Sequence, residues 1–118
     1  MTYQVAPVPR LDGLWTFDVE VDGAAGVIVL VRGHVFGGDG AFYVTGNYSE
    51  HGDEIEADLT TVRFRPGPSS LAGGHEGGVI HARGHWDAAT NRLPLAMPNG
   101  SLFAVLTQRL PLPPDLME

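Results

Sequence analysis

Cysteine is absent from this 118-residue sequence, which excludes disulfides, thiolate zinc sites and cysteine nucleophiles. The absence fits a reducing compartment, and a cytoplasmic location is the expectation. Long apolar runs are missing too. The longest, Val27-Ile28-Val29-Leu30-Val31, falls far short of the ~20 residues a membrane-spanning helix needs, so no membrane span is expected. The opening residues, Met1 to Arg10, lack the basic start and apolar stretch of a signal peptide. No helix-period segment of useful length exists, and no internal repeat stands out. Basic residues are scarce: seven against fourteen acidic ones leave a net charge of −7. Phosphate backbones would be repelled, so direct nucleic-acid binding is not expected, whereas a basic protein partner is permitted.

What is present is glycine, proline and alternation. Sixteen glycines and nine prolines suit many short strands joined by tight turns. Residues 1–10, with Pro7 and Pro9, read as an extended lead-in, 11–110 as one domain, and 111–118 as a Pro-rich tail. Leu14–Val21 alternates, with Trp15, Phe17, Val19 and Val21 inward, and Asp22-Gly23 is a hairpin signal. Ala25–Val31 is apolar on both faces, Val27, Val29 and Val31 opposing Ile28 and Leu30. Such a strand needs a cover on its outer side, either a loop or a second subunit. With Ile28 and Leu30 as the outer face, these two are the candidate dimer-interface residues of a homodimer.

Arg32-Gly33 turns into a short strand, His34–Phe36. Gly37-Gly38-Asp39-Gly40 then reverses the chain into an aromatic strand, with Phe42, Val44, Gly46 and Tyr48 on one face. Glu54–Arg65 places Ile55, Ala57 and Leu59 inward, but its later apolar residues, Val62 and Phe64, fall in the opposite phase. That predicts a β-bulge near Thr60-Thr61. Pro66–Gly78 is irregular. Val79–Asp87 places Ile80, Ala82 and Trp86 opposite His81, Arg83 and His85. Arg92–Met97 follows, with Pro94 at an edge or unpaired position, and Pro98-Asn99-Gly100 turns into Ser101–Leu110. The expectation is an all-β fold: a small up-and-down eight-stranded β-barrel, closed so that no sheet edge is exposed. A two-sheet β-sandwich is the alternative.

Candidate sites follow from side-chain clustering. Glu50, Asp53, Glu54, Glu56 and Asp58 concentrate carboxylates on one turn and one strand face. They read either as a docking site for a basic partner or as a solvated face. Trp15, Phe17, Phe42, Tyr48, Trp86 and Phe103 either fill the barrel or line a cavity for a small apolar ligand. His81 and His85 share a strand face but lie ~13 Å apart at ~3.3 Å per residue, too far to share one metal ion. No metal or cofactor is expected. Gly37-Gly38-Asp39-Gly40 precedes a strand and not a helix, so it is no phosphate loop. Ser49, Ser69, Ser70 and Ser101 lack a nucleophile-elbow motif, and no enzymatic activity is expected.

Three stretches resemble the GrlR-like family: Leu11-Asp12-Gly13-Leu14-Trp15, Gly26-Val27-Ile28-Val29-Leu30, and Gly37 through Tyr48. Pro66 through Gly73 resembles that family's Pro-Ser loop more weakly. The resemblance implies a lipocalin-like eight-stranded barrel, often dimeric. It also implies a negative regulator of type III secretion genes that sequesters a helix-turn-helix transcriptional activator through an exposed acidic loop. The matching segment here is Ser49-Glu50-His51-Gly52-Asp53-Glu54, in which His51-Gly52 interrupts the acidic run.

Overall fold

The computed structural model describes residues 10–18, 25–66, 77–100 and 102–111. They form eight antiparallel strands: β1 (Gly13–Asp18), β2 (Ala25–Val31), β3 (His34–Gly38), β4 (Phe42–His51), β5 (Glu54–Arg63), β6 (Gly77–His85), β7 (Arg92–Ala96) and β8 (Leu102–Pro111). Each strand pairs with the next, and β1 pairs with β8, so the sheet closes into an up-and-down barrel. The expected architecture is therefore the observed one, and the sandwich alternative is set aside. Among the described residues no helix is long and apolar enough to cross a membrane. The Asp22-Gly23 turn, Val19, Val21, the loop from 67 to 76, Ser101 and the tail beyond Pro111 lie outside the described residues.

The turns show why the strands stop where they do. Val31 pairs with His34 across Arg32-Gly33, and both turn residues have positive φ (47° and 82°), the conformation a twisted two-residue hairpin requires. His51 likewise pairs with Glu54 across Gly52-Asp53. Gly37 and Gly38 belong to β3 instead of forming the expected turn. A Cβ on Gly37 would run into Val27 O, and one on Gly38 into Phe42 O, so side-chain-free residues let β3 bend tightly between its neighbours. The reversal itself is an Asx turn: Asp39 Oδ1 accepts the backbone N–H of Ala41 (2.8 Å) and of Phe42 (2.9 Å).

Two sequence expectations are corrected. Ile28 and Leu30 point into the core, not outward. The register pairs Ile28 with Trp15 and Leu30 with Gly13, both buried, so it is Val27, Val29 and Val31 that face out. The β-bulge near Thr60-Thr61 is absent, and β5 runs in register with both neighbours. Thr61 keeps the inward phase, its methyl buried and its hydroxyl donating to Gly78 O (3.3 Å). Val62 and Phe64 lie outside, Phe64 stacked on Tyr43 with ring centroids 6.4 Å apart. The bulges fall on β8, where Arg109 and Phe103 are extra residues opposite Leu14/Trp15 and Leu95/Ala96. The second turns Leu102 outward and lets Phe103 pack on the core.

The core runs from Trp15 and Trp86, edge to face at 5.3 Å, to Phe42, whose ring lies 4.4 Å beneath the Arg63 guanidinium. The base of the barrel is tied by Asp12, which is fully buried. Its carboxylate accepts the Arg32 backbone N–H (3.0 Å) and the Tyr48 hydroxyl (3.0 Å), while Leu11 O accepts Trp15 Nε1 (2.8 Å). Burial, aided by the Asp12 charge, raises the Tyr48 phenol above its ordinary range. The weakest wall is between β6 and β7, which pair at Arg83–Ala96 and Gly84–Leu95 and again, past a gap, at the Asp87–Arg92 bridge. Pro94 falls in the gap between the Gly84–Leu95 pair and the Asp87–Arg92 bridge, so its missing N–H coincides with the interruption of that ladder.

Asp12→Ala leaves two donors facing a dry site and is expected to lower stability by roughly 3 kcal/mol, against about 1 kcal/mol for Tyr48→Phe. Urea denaturation followed by tryptophan fluorescence measures both, and equal losses would contradict the assignment. The pH dependence follows from the raised Tyr48 phenol. The unfolded phenol loses its proton near pH 10 while the folded one keeps it, so stability contributed below about pH 10 drains away above it. The urea midpoint of the wild type should fall there, and that of Tyr48→Phe should fall less.

Candidate interaction site

The barrel interior offers little room. The void among Phe17, Ile28, Tyr48, Phe103 and the surrounding aliphatic side chains measures about 30 Å³, the share of a single water molecule in the liquid. Of the candidate cavity residues, Trp15, Phe17, Phe42 and Trp86 are buried core, and Tyr48 and Phe103 pack against it partly buried. They fill the barrel together; they do not frame an open chamber.

Concavity of useful size lies on the outside. A groove of about 540 Å³ crosses the outer faces of β4, β5 and β6 and ends against the β7–β8 hairpin at Met97, Pro98 and Gly100. Strand alternation builds its floor. Asn47, Asp58 and His81 stand side by side in one cross-strand row, and Ser49, Glu56 and Arg83 in the next. The hairpin wall is held by Gly100 N–H donating to Met97 O (2.9 Å), with Gly100 at φ 88°.

The five acidic candidates separate into two groups. Glu56 and Asp58 are in the groove, Glu56 paired with Arg83 (2.9 Å) and Asp58 in contact with His81 Nδ1. Glu50 and Asp53 are at the β4–β5 turn, where both hold Arg10 (3.1 and 2.6 Å), and Gly52 O accepts from the same guanidinium. The Asp53 and Glu50 bonds raise the Arg10 pKa. Glu54 lies between the two groups, beside His51 and His85 in the register, with no ion-pair partner among the described residues. Four of the five carboxylates thus already contact a basic side chain of the same chain directly. Periodicity placed Glu56 and Asp58 on one face correctly, but it carries no information about which cation a register brings opposite.

His81 and His85 are on the same outward face with Arg83 between them, as the spacing requires. Among the described residues no group of three or more His, Asp or Glu side chains could hold a metal ion. Sequence reasoning missed Arg10 as the cation of the β4–β5 turn and the hairpin wall at Met97. Both depend on contacts between segments distant in the chain. Compared with known proteins, the chain matches no family model, no curated protein and no solved structure.

The ion pairs in the groove are exposed, so each is worth at most about 1 kcal/mol and is exchangeable. Arg83→Ala and His81→Ala should each shift the urea midpoint by less than that amount. A larger loss would show that these pairs hold the wall together and are not available to another molecule.

Proposed function

We propose that this barrel is a non-enzymatic interaction module that holds a basic protein partner on its outer wall. The GrlR-like resemblance points the same way, to a regulator that acts by sequestering an activator protein. One observation carries the reading: the interior is filled by side chains, while a sizeable concavity outside is a groove floored by Glu56 and Asp58. Small-molecule sites usually enclose about 300–1,000 Å³ behind apolar walls. The void inside is an order of magnitude below that range, and the groove outside has the volume but open walls in which charged side chains stand among Met97, Pro98 and alanines.

The mechanism is ion-pair exchange. A net charge of −7 steers a basic surface toward the barrel. Arginine or lysine side chains then replace Arg83 and His81 on Glu56 and Asp58. Because the internal pairs are solvent-screened, their loss costs little, and the incoming pairs form under partial cover of the hairpin. Such a contact weakens as salt rises.

The test uses a basic helix-turn-helix activator domain as the probe, titrated against the wild type by calorimetry at two ionic strengths. Glu56→Lys with Asp58→Lys should abolish binding, while Glu50→Lys with Asp53→Lys should retain most of it. The reverse pattern would place the contact at the β4–β5 turn and overturn the groove assignment. Native mass spectrometry of freshly purified protein should show the bare chain mass. A stoichiometric small-molecule adduct would instead favour a carrier, the second function the barrel shape permits.

A further inference from the structure

The seam between β6 and β7 leaves a length of sheet edge open. Residues 77–82 of β6 pair with β5 throughout, but on the β7 side they pair with none of the described residues. Alternation decides which backbone groups this exposes. Asp87 exchanges two backbone bonds with Arg92 on the β7 side (2.9 and 3.2 Å), while Trp86 N–H bonds Asp53 O on the β5 side (2.7 Å). Successive residues of an antiparallel strand face alternate neighbours, so Arg83, His81 and Val79 turn N–H and C=O toward β7. Arg83 meets Ala96 there; His81 and Val79 meet no strand among the described residues. The same register carried onward would set Pro98, which has no N–H, against His81, and Gly100, already in the hairpin turn, against Val79.

The side chains record the same gap. Val79 is 67% exposed, the most exposed large apolar residue among the described ones, and its neighbour Ile80 is the least covered of the core side chains. Open edges are ordinarily blunted by lysine, proline or a bulge. Residues 77–82 carry none of these.

We infer that an extended segment of the basic partner adds to β6 as an antiparallel strand along residues 79–82. This rests on the groove being the partner site, and it specifies how the partner is held there. The groove opens onto the edge: His81 and Ala82 line it on one side, Met97, Pro98 and Gly100 on the other. Backbone bonds from Val79 and His81 would supply affinity, and alternate side chains would supply choice. The residue beside His81 joins the row that holds Asp58, which calls for arginine or lysine. The residue beside Val79 lies on an apolar side chain. Those beside Ile80 and Ala82 turn inward and must be apolar.

Shape and charge select a single extended segment. The hairpin stands across the gap, so one strand can enter where the edge of a second barrel cannot. A second copy would also bring a net charge of −7 against the groove carboxylates, whereas a basic segment complements them.

The probe is a blocked Lys-Lys-Val-Val-Arg-Val peptide, titrated against the wild type by calorimetry. N-methylation at its arginine and its first valine removes the two donors that would face β6 and keeps the charge. That should weaken binding tenfold or more. Amide exchange followed by NMR reads the edge directly. Val79 and His81 should exchange quickly in the free protein and at least tenfold more slowly in the complex, while Ile80 and Ala82, bonded to β5, stay slow in both. Val79→Pro removes a free donor and no β5 bond, and should weaken the peptide with the circular dichroism spectrum unchanged. Equal affinity for the parent and methylated peptides overturns strand addition, as do Val79 and His81 amides already protected in the free protein. If the helix-turn-helix probe is lost in Glu56→Lys/Asp58→Lys while methylation changes nothing, the groove stands and the strand addition falls. If the edge amides are protected by the peptide and that variant binds it unchanged, the strand addition stands and the groove reading falls.

Discussion

The barrel is closed from below by one buried carboxylate. Asp12 lies just before β1, yet it receives its hydrogen bonds from the β2–β3 turn and from β4. On the other side Gln108 of β8 donates to the backbone of Arg10 and of Asp12. Four separate parts of the ring therefore meet at one residue. A charge in that position persists only because donors surround it, and those donors exist only when the strands are in register. The Arg32 backbone, held at positive φ without being glycine, is stabilised by the same carboxylate. Register, turn and closure are thus a single cooperative unit.

How much of this was legible beforehand depends on what kind of signal each element emits. Period-two hydrophobicity located all eight strands, and Gly/Asn/Asp pairs located the hairpins among the described residues, because both are local. Strand β2 was misread in facing for a physical reason: with valine, isoleucine and leucine on both sides, its alternation has no polar phase to mark the outside. Its facing is set by Trp15 and Gly13 across the ladder, which is non-local information. Thr61 misled in the opposite sense. The apolar Val62 and Phe64 after it suggested a slipped register, whereas both lie outside and the Thr61 hydroxyl, donating to Gly78 O, is satisfied indoors. The role of Asp12 gave no local signal, since nothing nearby in sequence supplies its donors.

The distribution of side chains over the two surfaces of the sheet sets the functional logic. Inside, large residues leave space for about one water. Outside, the cross-strand rows divide by chemistry: uncharged and aromatic near the Phe42 end, ionic near the β4–β5 turn. The same strands β4 and β5 contribute to both zones, so a rigid ladder fixes the distance between the apolar wall and the groove.

A ring gives way at its thinnest link, and here that link is the β6–β7 seam, two residue pairs and the Asp87–Arg92 bridge. Releasing it would leave every other ladder whole, because β7 stays bonded to β8 and β8 to β1. The cylinder would then become a curled eight-stranded sheet with β6 and β7 as its margins. Breathing of this kind admits solvent to the central amides through the side of the molecule and not through either end. Opening along that seam would then set how long the packed interior stays sealed.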